Sequence, residues 1–197
     1  MEQEGVIKYK MNWEPFTPIP EYDISALIHF RNKCFEQQWI GYYQTHQVGY
    51  GNISQRFGNN KQFFISGSQT GHIPVLDANQ YSFIQKYDIP ANTIKCLGQV
   101  KASSESLTHA AIYELSSEIE AIIHIHNNTL WNKHLHKLPT TNPEVEYGTP
   151  EMAAEVNRLF QSNTIKETGL LIMGGHEDGI IAWGKDFETA FGLLEQL

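Results

Sequence analysis

Only two cysteines, Cys34 and Cys96, occur among 197 residues, too few for a disulfide framework. No apolar run approaches the roughly 20 residues that span a bilayer, and the opening MEQEGVIKYK lacks the basic-then-apolar build of a signal peptide. Basic residues are also few. Against 22 Asp and Glu there are 14 Lys and Arg, giving a formal net charge of -8, and they form no stripe of the kind that tracks a phosphate backbone. The sequence therefore predicts no nucleic-acid partner, no membrane partner and a cytoplasmic location. Repeats and low-complexity tracts are absent too. What is present, 41% hydrophobic and 18% charged residues, suits one α/β domain with a sizeable core.

Residues 1–22, with Pro18 and Pro20, read as an extended arm laid over a domain spanning 23–197. Asp23 is placed to cap a helix that runs to about Trp39 and is stopped by Gly41. GYGNISQRF, QFFISG, YSFIQKYDI and NTIKCLGQV read as strands. SSESLTHAAIYELSSE reads as a helix capped by Ser103 or Ser104, and AIIHIH, residues 121–126, as a short buried strand. After a polar stretch with a little helix, Thr149 and Pro150 start another helix; GLLIMGG and GIIAWG form two strands joined by HEDG, and DFETAFGLLEQL closes the chain as an amphipathic helix.

Side chains two apart on a strand share a face, so His124 and His126 can reach one metal ion. The best third ligand is His176 in MGGHEDG, where glycines permit close approach. Three imidazoles with an open position make a catalytic zinc arrangement, whereas a structural site is closed by a fourth protein ligand. Histidines are also common as plain polar residues; His134 and His136 repeat the spacing in a polar segment and read as a solvated pair. Glu105, at a helix start, is a candidate general base, although the helix macrodipole alone favours an acid there. Ser103 and Ser104 can hold an anion at that helix start or simply cap it. Asn52 in GNIS, and Thr70 and Gly71 in SGSQTG, are further anion-binding candidates, and a bare turn explains either loop equally well.

Taken in order, GNIS, ISGSQTG, SSE at 103–105, HIH at 124–126, GTPEMA and a late GGH followed by WGKD resemble the class II aldolase/adducin family, in its fuculose-phosphate aldolase-like form, over nearly the whole chain. The resemblance implies a three-layer α/β/α sandwich around a mostly antiparallel central sheet, assembled as a homotetramer with sites at subunit interfaces. It implies His124, His126 and His176 as zinc ligands, Glu105 as the acid/base, and Asn52, Thr70, Gly71, Ser103 and Ser104 as donors to a substrate phosphate. His109 is expected to pack within its helix.

The chain departs from the pattern at GGHEDG, where the family has Asn-His-Gly, so that Glu177 and Asp178 are extra carboxylates read as solvated. Its stretch from His126 to Gly148 is short, leaving the match of Tyr147 to the family's tyrosine open, and no tail follows the last helix. The expected activity is a zinc-dependent aldolase-type lyase acting on a small, phosphorylated hydroxy-carbonyl compound through a metal-stabilised enediolate. A dehydratase or epimerase is the nearest alternative, and a non-catalytic adducin-like binding module the alternative of another class.

Overall fold

In the computed structural model, residues 5–16, 23–58, 61–162, 165 and 168–197 are described. The elements run β1 (Lys10–Glu14), α1 (Ser25–Glu36), β2 (Gly41–Tyr43), β3 (Val48–Tyr50), β4 (Asn52–Arg56), β5 (Phe63–Ser66), β6 (Tyr81–Asp88) and β7 (Thr93–Leu97). They continue with α2 (Ser106–Leu115), β8 (Ala121–His126), α3 (Asn128–His134), α4 (Pro150–Gln161), β9 (Leu170–Ile172), β10 (Gly179–Gly184) and α5 (Phe187–Glu195). Eight strands form one sheet in the order β1-β7-β6-β5-β4-β8-β10-β9, while β2 and β3 make a separate hairpin. Every neighbouring pair in the large sheet is antiparallel except β1 with β7. The expected mostly antiparallel sheet between helical layers is what the chain forms.

The layers follow from strand alternation. Ala121, Ile123 and Ile125 of β8 pack with Leu27 and Phe30 of α1 and Phe191 and Leu194 of α5. Ile122 points the other way, into the layer built from Leu107 and Ala111 of α2 and Met152 and Val156 of α4. His124 and His126 share the face of Ile122 by the period of two. Because both faces of β8 are covered, all six of its residues are buried and the strand reads as an apolar run interrupted only by imidazoles.

Four local expectations change. Part of the arm is not laid over the domain: residues 10–14 form β1, the sheet's parallel edge strand. Pro18 and Pro20 lie outside the described residues. Helix α1 ends at Glu36, short of Trp39, because Gln38 takes a left-handed conformation (φ 58°) and the amides of Gln38 and Trp39 close onto the carbonyls of Phe35 and Cys34. That is a Schellman closure made without the usual glycine, so the sequence carries no stop signal before Gly41. At the other end the N-cap residue is Ile24, without a side-chain capping bond, and Asp23, one residue earlier, accepts from the Ser25 amide at 3.0 Å.

GYGNISQRF is two strands rather than one. Gly51, with φ +73°, separates them, and a Cβ there would come within 2.8 Å of Ile40 Cγ1 and 3.0 Å of the His124 carbonyl. Finally, α2 begins at Ser106: residues 103–105 form a preceding turn in which the Ser103 hydroxyl accepts from the Glu105 amide at 3.3 Å and Glu105 itself occupies the N-cap position with no capping bond. Its side chain is thereby free to point elsewhere.

His109 of α2 packs within the core as expected, fully buried and 2.7 Å from the Ser54 hydroxyl of β4. Burial pushes its pKa down to about 3, well below the ordinary histidine value. The unfolded chain therefore binds a proton that the folded chain refuses, and this contribution to stability is present above about pH 6.5 and lost as pH falls toward about 3. In His109→Gln, urea midpoints measured from pH 7 to pH 4 are expected to fall less steeply than in the parent; an equal slope would mean that His109 is not held neutral.

Candidate metal centre

Strand β8 delivers His124 and His126 to the middle of the sheet, and the turn between β9 and β10 brings His176 against them. The register sets Asn52 of β4 opposite His124 and Gly179 of β10 opposite His126. Gly179 makes the room: a Cβ there would stand 2.7 Å from His176 Cδ2 and 3.2 Å from His124 Nε2. One nitrogen from each imidazole lies within 4.8 Å of the others, and the Nε2 atoms of His126 and His176 are 3.0 Å apart. A tetrahedral ion with Zn–N bonds of 2.0–2.1 Å spaces its ligand atoms by about 3.4 Å, between these two values. All three rings are at most 4% exposed.

Electrostatics favour the ligating state. Burial pushes the pKa of His126 well below the ordinary histidine value and that of His176 down to about 4, so both are neutral lone-pair donors near pH 7. Glu105 is 2% exposed, and burial pushes its carboxyl up; the close contact with His124 outweighs this and holds it ionised, below the ordinary carboxylate range.

The donor set fits a divalent transition metal on an observation of its own. Glu105 Oε2 accepts from Asn52 Nδ2 at 2.7 Å and contacts His124 Nδ1 more closely still, which makes Nδ1 the protonated nitrogen of that ring. His124 Nε2 then carries a lone pair, faces the cluster and has no hydrogen-bond partner although it is buried. Glu105 Oε1 is likewise buried without one, 3.8 Å from His176 Nε2. Each such orphan costs about 1–3 kcal/mol unless something satisfies it, and a cation among neutral nitrogens does so.

The remaining candidates converge on one recess beside Glu105. Asn52, Thr70, Gly71, Ser103 and Ser104 all line it, with Gln69 and Gly5 of the N-terminal segment. Some of their donors are already committed: the Thr70 hydroxyl donates to the Gly67 carbonyl at 2.8 Å, and Asn52 holds Glu105. His134 and His136 stay apart from the cluster; His134 Nε2 lies 3.1 Å from the Leu197 carbonyl.

Sequence reasoning missed several residues. Arg31, 1% exposed, donates to the carbonyls of Thr70 and Pro74 at 3.1 and 3.0 Å and so anchors the SGSQTG loop from beneath. Val6, Tyr43 and Gln69 line a cavity of about 790 Å³ into which His126 and His176 open. Tyr147, whose match the sequence left open, lies beside His176, ring centroids 4.5 Å apart, and accepts a bond from the Val6 amide at 3.3 Å. No spacing in the sequence marks these contacts, since the pairs that make them are far apart along the chain. Glu177 is exposed as expected, whereas Asp178 is half-buried and bonded.

The chain is similar to several known proteins. The model of the family described as "Class II Aldolase and Adducin N-terminal domain" matches residues 37–197. An L-fuculose phosphate aldolase of Methanocaldococcus jannaschii is 27% identical over 162 residues, covering 75% of this chain and 79% of that protein. Among solved structures, L-fuculose 1-phosphate aldolase superposes with a TM-score of 0.65 at 19% identity, covering 89% of this chain and 82% of the other. A sugar-phosphate aldolase from Thermotoga maritima gives 0.64 at 16% identity, covering 89% and 91%. At these identities the superpositions speak for the fold.

Proposed function

We propose that this chain, which belongs to the class II aldolase and adducin family, is a zinc-dependent aldehyde-lyase that cleaves a carbon–carbon bond in a small hydroxy-carbonyl compound. The observation that carries this reading is the buried cluster of His124, His126 and His176, opening on a cavity and flanked by a buried carboxylate. A divalent metal held by His124, His126 and His176 would supply Lewis-acid stabilisation of negative charge developing on the substrate.

The chain's own residues do the rest. Asn52 and His124 fix one oxygen of Glu105, leaving Oε1 as the atom that takes and returns a proton. The rings of Tyr43 and Tyr147 form walls of the cavity and reduce water access. A homotetramer, expected from the family, would add further walls, and light scattering on the purified protein reads it.

For the far end of the substrate we infer a phosphate, because Ser103, Ser104, Thr70, Gly71 and Asn52 bring neutral donors to one recess and the archaeal relative is a phosphate-sugar aldolase. One observation favours an uncharged end instead. The recess holds about 20 Å³, room for roughly one water, and none of the described residues lining it is Lys or Arg. A phosphoryl group is larger than this and enters only if the lining moves.

One measurement tests the base and a second separates the two substrate ends. Glu105→Gln should retain zinc and lose about a hundredfold or more of carbon–carbon cleavage, because the Gln amide oxygen can accept from His124 yet an amide cannot take up and return a proton; full activity would move the base elsewhere. Ser104→Ala should raise KM about tenfold to a hundredfold for a phosphorylated substrate and leave its unphosphorylated counterpart nearly unaffected. Equal effects on both, or a parent enzyme preferring the unphosphorylated form, would establish the uncharged end.

A further inference from the structure

His124 has its tautomer set by Glu105; for His126 the corresponding partner comes from two residues far apart in the chain. His126 Nδ1 is 3.2 Å from the hydroxyl of Tyr43, at the end of β2, and that same hydroxyl is 3.3 Å from Asp178 Oδ2 in the turn after His176. Tyr43 and Asp178 are 135 residues apart in the chain.

A phenol has one hydrogen, and the two contacts compete for it. The Asp178 carboxylate, a charged acceptor, is the stronger claimant over a neutral imidazole nitrogen. With the phenol hydrogen directed to Asp178, the contact at His126 is favourable only if Nδ1 donates to the Tyr43 oxygen. Each group is held in place independently of the others. Asp178 Oδ1 accepts from Asn128 Nδ2 at 2.8 Å, and the Asp178 carbonyl accepts from the Asn127 amide at 3.0 Å. Its backbone sits in the left-handed region, φ 69°, which Asp tolerates better than most residues and which this double anchorage sustains. The Tyr43 ring lies against Tyr50, centroids 4.3 Å apart.

We propose that Tyr43 and Asp178 are positioning residues forming a hydrogen-bond chain from His126 Nδ1–H through the Tyr43 hydroxyl to the Asp178 carboxylate, which fixes His126 with its Nε2 lone pair turned toward His124 and His176. The proposal rests on the metal reading for its consequence and on this chain's own contacts for its geometry. It gives the extra carboxylate of GGHEDG a role: the turn that supplies His176 also orients His126. Outer partners of metal-bound histidines typically change metal affinity by tenfold to a hundredfold, about the size expected here.

The test uses the full-length protein with two readouts. In metal-free protein, long-range proton–nitrogen NMR at pH 7.5 should show His126 as the Nδ1–H tautomer, and Tyr43→Phe, which keeps the ring and its packing, should shift it toward Nε2–H. In chelator competition, Tyr43→Phe and Asp178→Asn should each weaken zinc binding about tenfold to a hundredfold, and Asn tolerates the left-handed backbone at 178. An Nε2–H tautomer in the parent, or a tautomer unmoved by Tyr43→Phe, would overturn the proposal, as would unchanged zinc affinity in both variants. If the parent binds no zinc, the metal reading fails by itself and the tautomer measurement still decides the hydrogen-bond chain.

Discussion

The contact between the Glu105 carboxylate and His124 Nδ1 is the constraint on which the rest of the site depends. It ties the turn before α2 to the central strand β8, and Asn52 joins β4 to the same carboxylate oxygen. Both groups are buried, at 2% and 0% exposure, where an unpaired carboxylate would be very costly. Removing His124 would leave the Glu105 carboxylate buried without its partner, so His124 is not replaceable without loss of stability. The contact also orients the ring: with Nδ1 engaged by Glu105, Nε2 is the nitrogen of His124 that faces the cluster.

The scaffold explains why this arrangement can be rigid. β8 is paired antiparallel on both sides, to β4 and to β10, and covered by helices on both faces. Histidines placed there inherit their spacing from the sheet rather than from a loop, which is where ligand geometry is most reproducible. Only His176 comes from a turn. That turn is bonded to the start of α3 through Asp178 and kept open at Gly179, so the third ligand is nearly as constrained as the other two.

Much of this was legible in the sequence, and the reasons are physical. AIIHIH shows its boundaries because a doubly covered strand must be apolar wherever it is not functional, and the structure reproduces residues 121–126 as β8. Thr149 and Pro150 announce α4 because capping is local; Thr149 indeed accepts from the Met152 amide. Local rules failed where a residue without the usual signature took a special conformation. Gln38 ends α1 in a glycine's place, and Ser103 turns the chain before α2 instead of capping it. Nothing local marks contacts between distant segments, such as Tyr43 with Asp178, the buried Arg31 beneath Thr70, or β1 against β7.

The central claim is that His124, His126 and His176 together hold one divalent metal. X-ray absorption at the zinc edge, combined with elemental analysis of zinc-loaded protein, addresses it directly. The expected result is about one zinc per chain, with imidazole scattering from three ligands at roughly 2.0–2.1 Å and no sulfur in the coordination sphere. Folded protein that takes up no zinc, or zinc bound through cysteine sulfur, would contradict it.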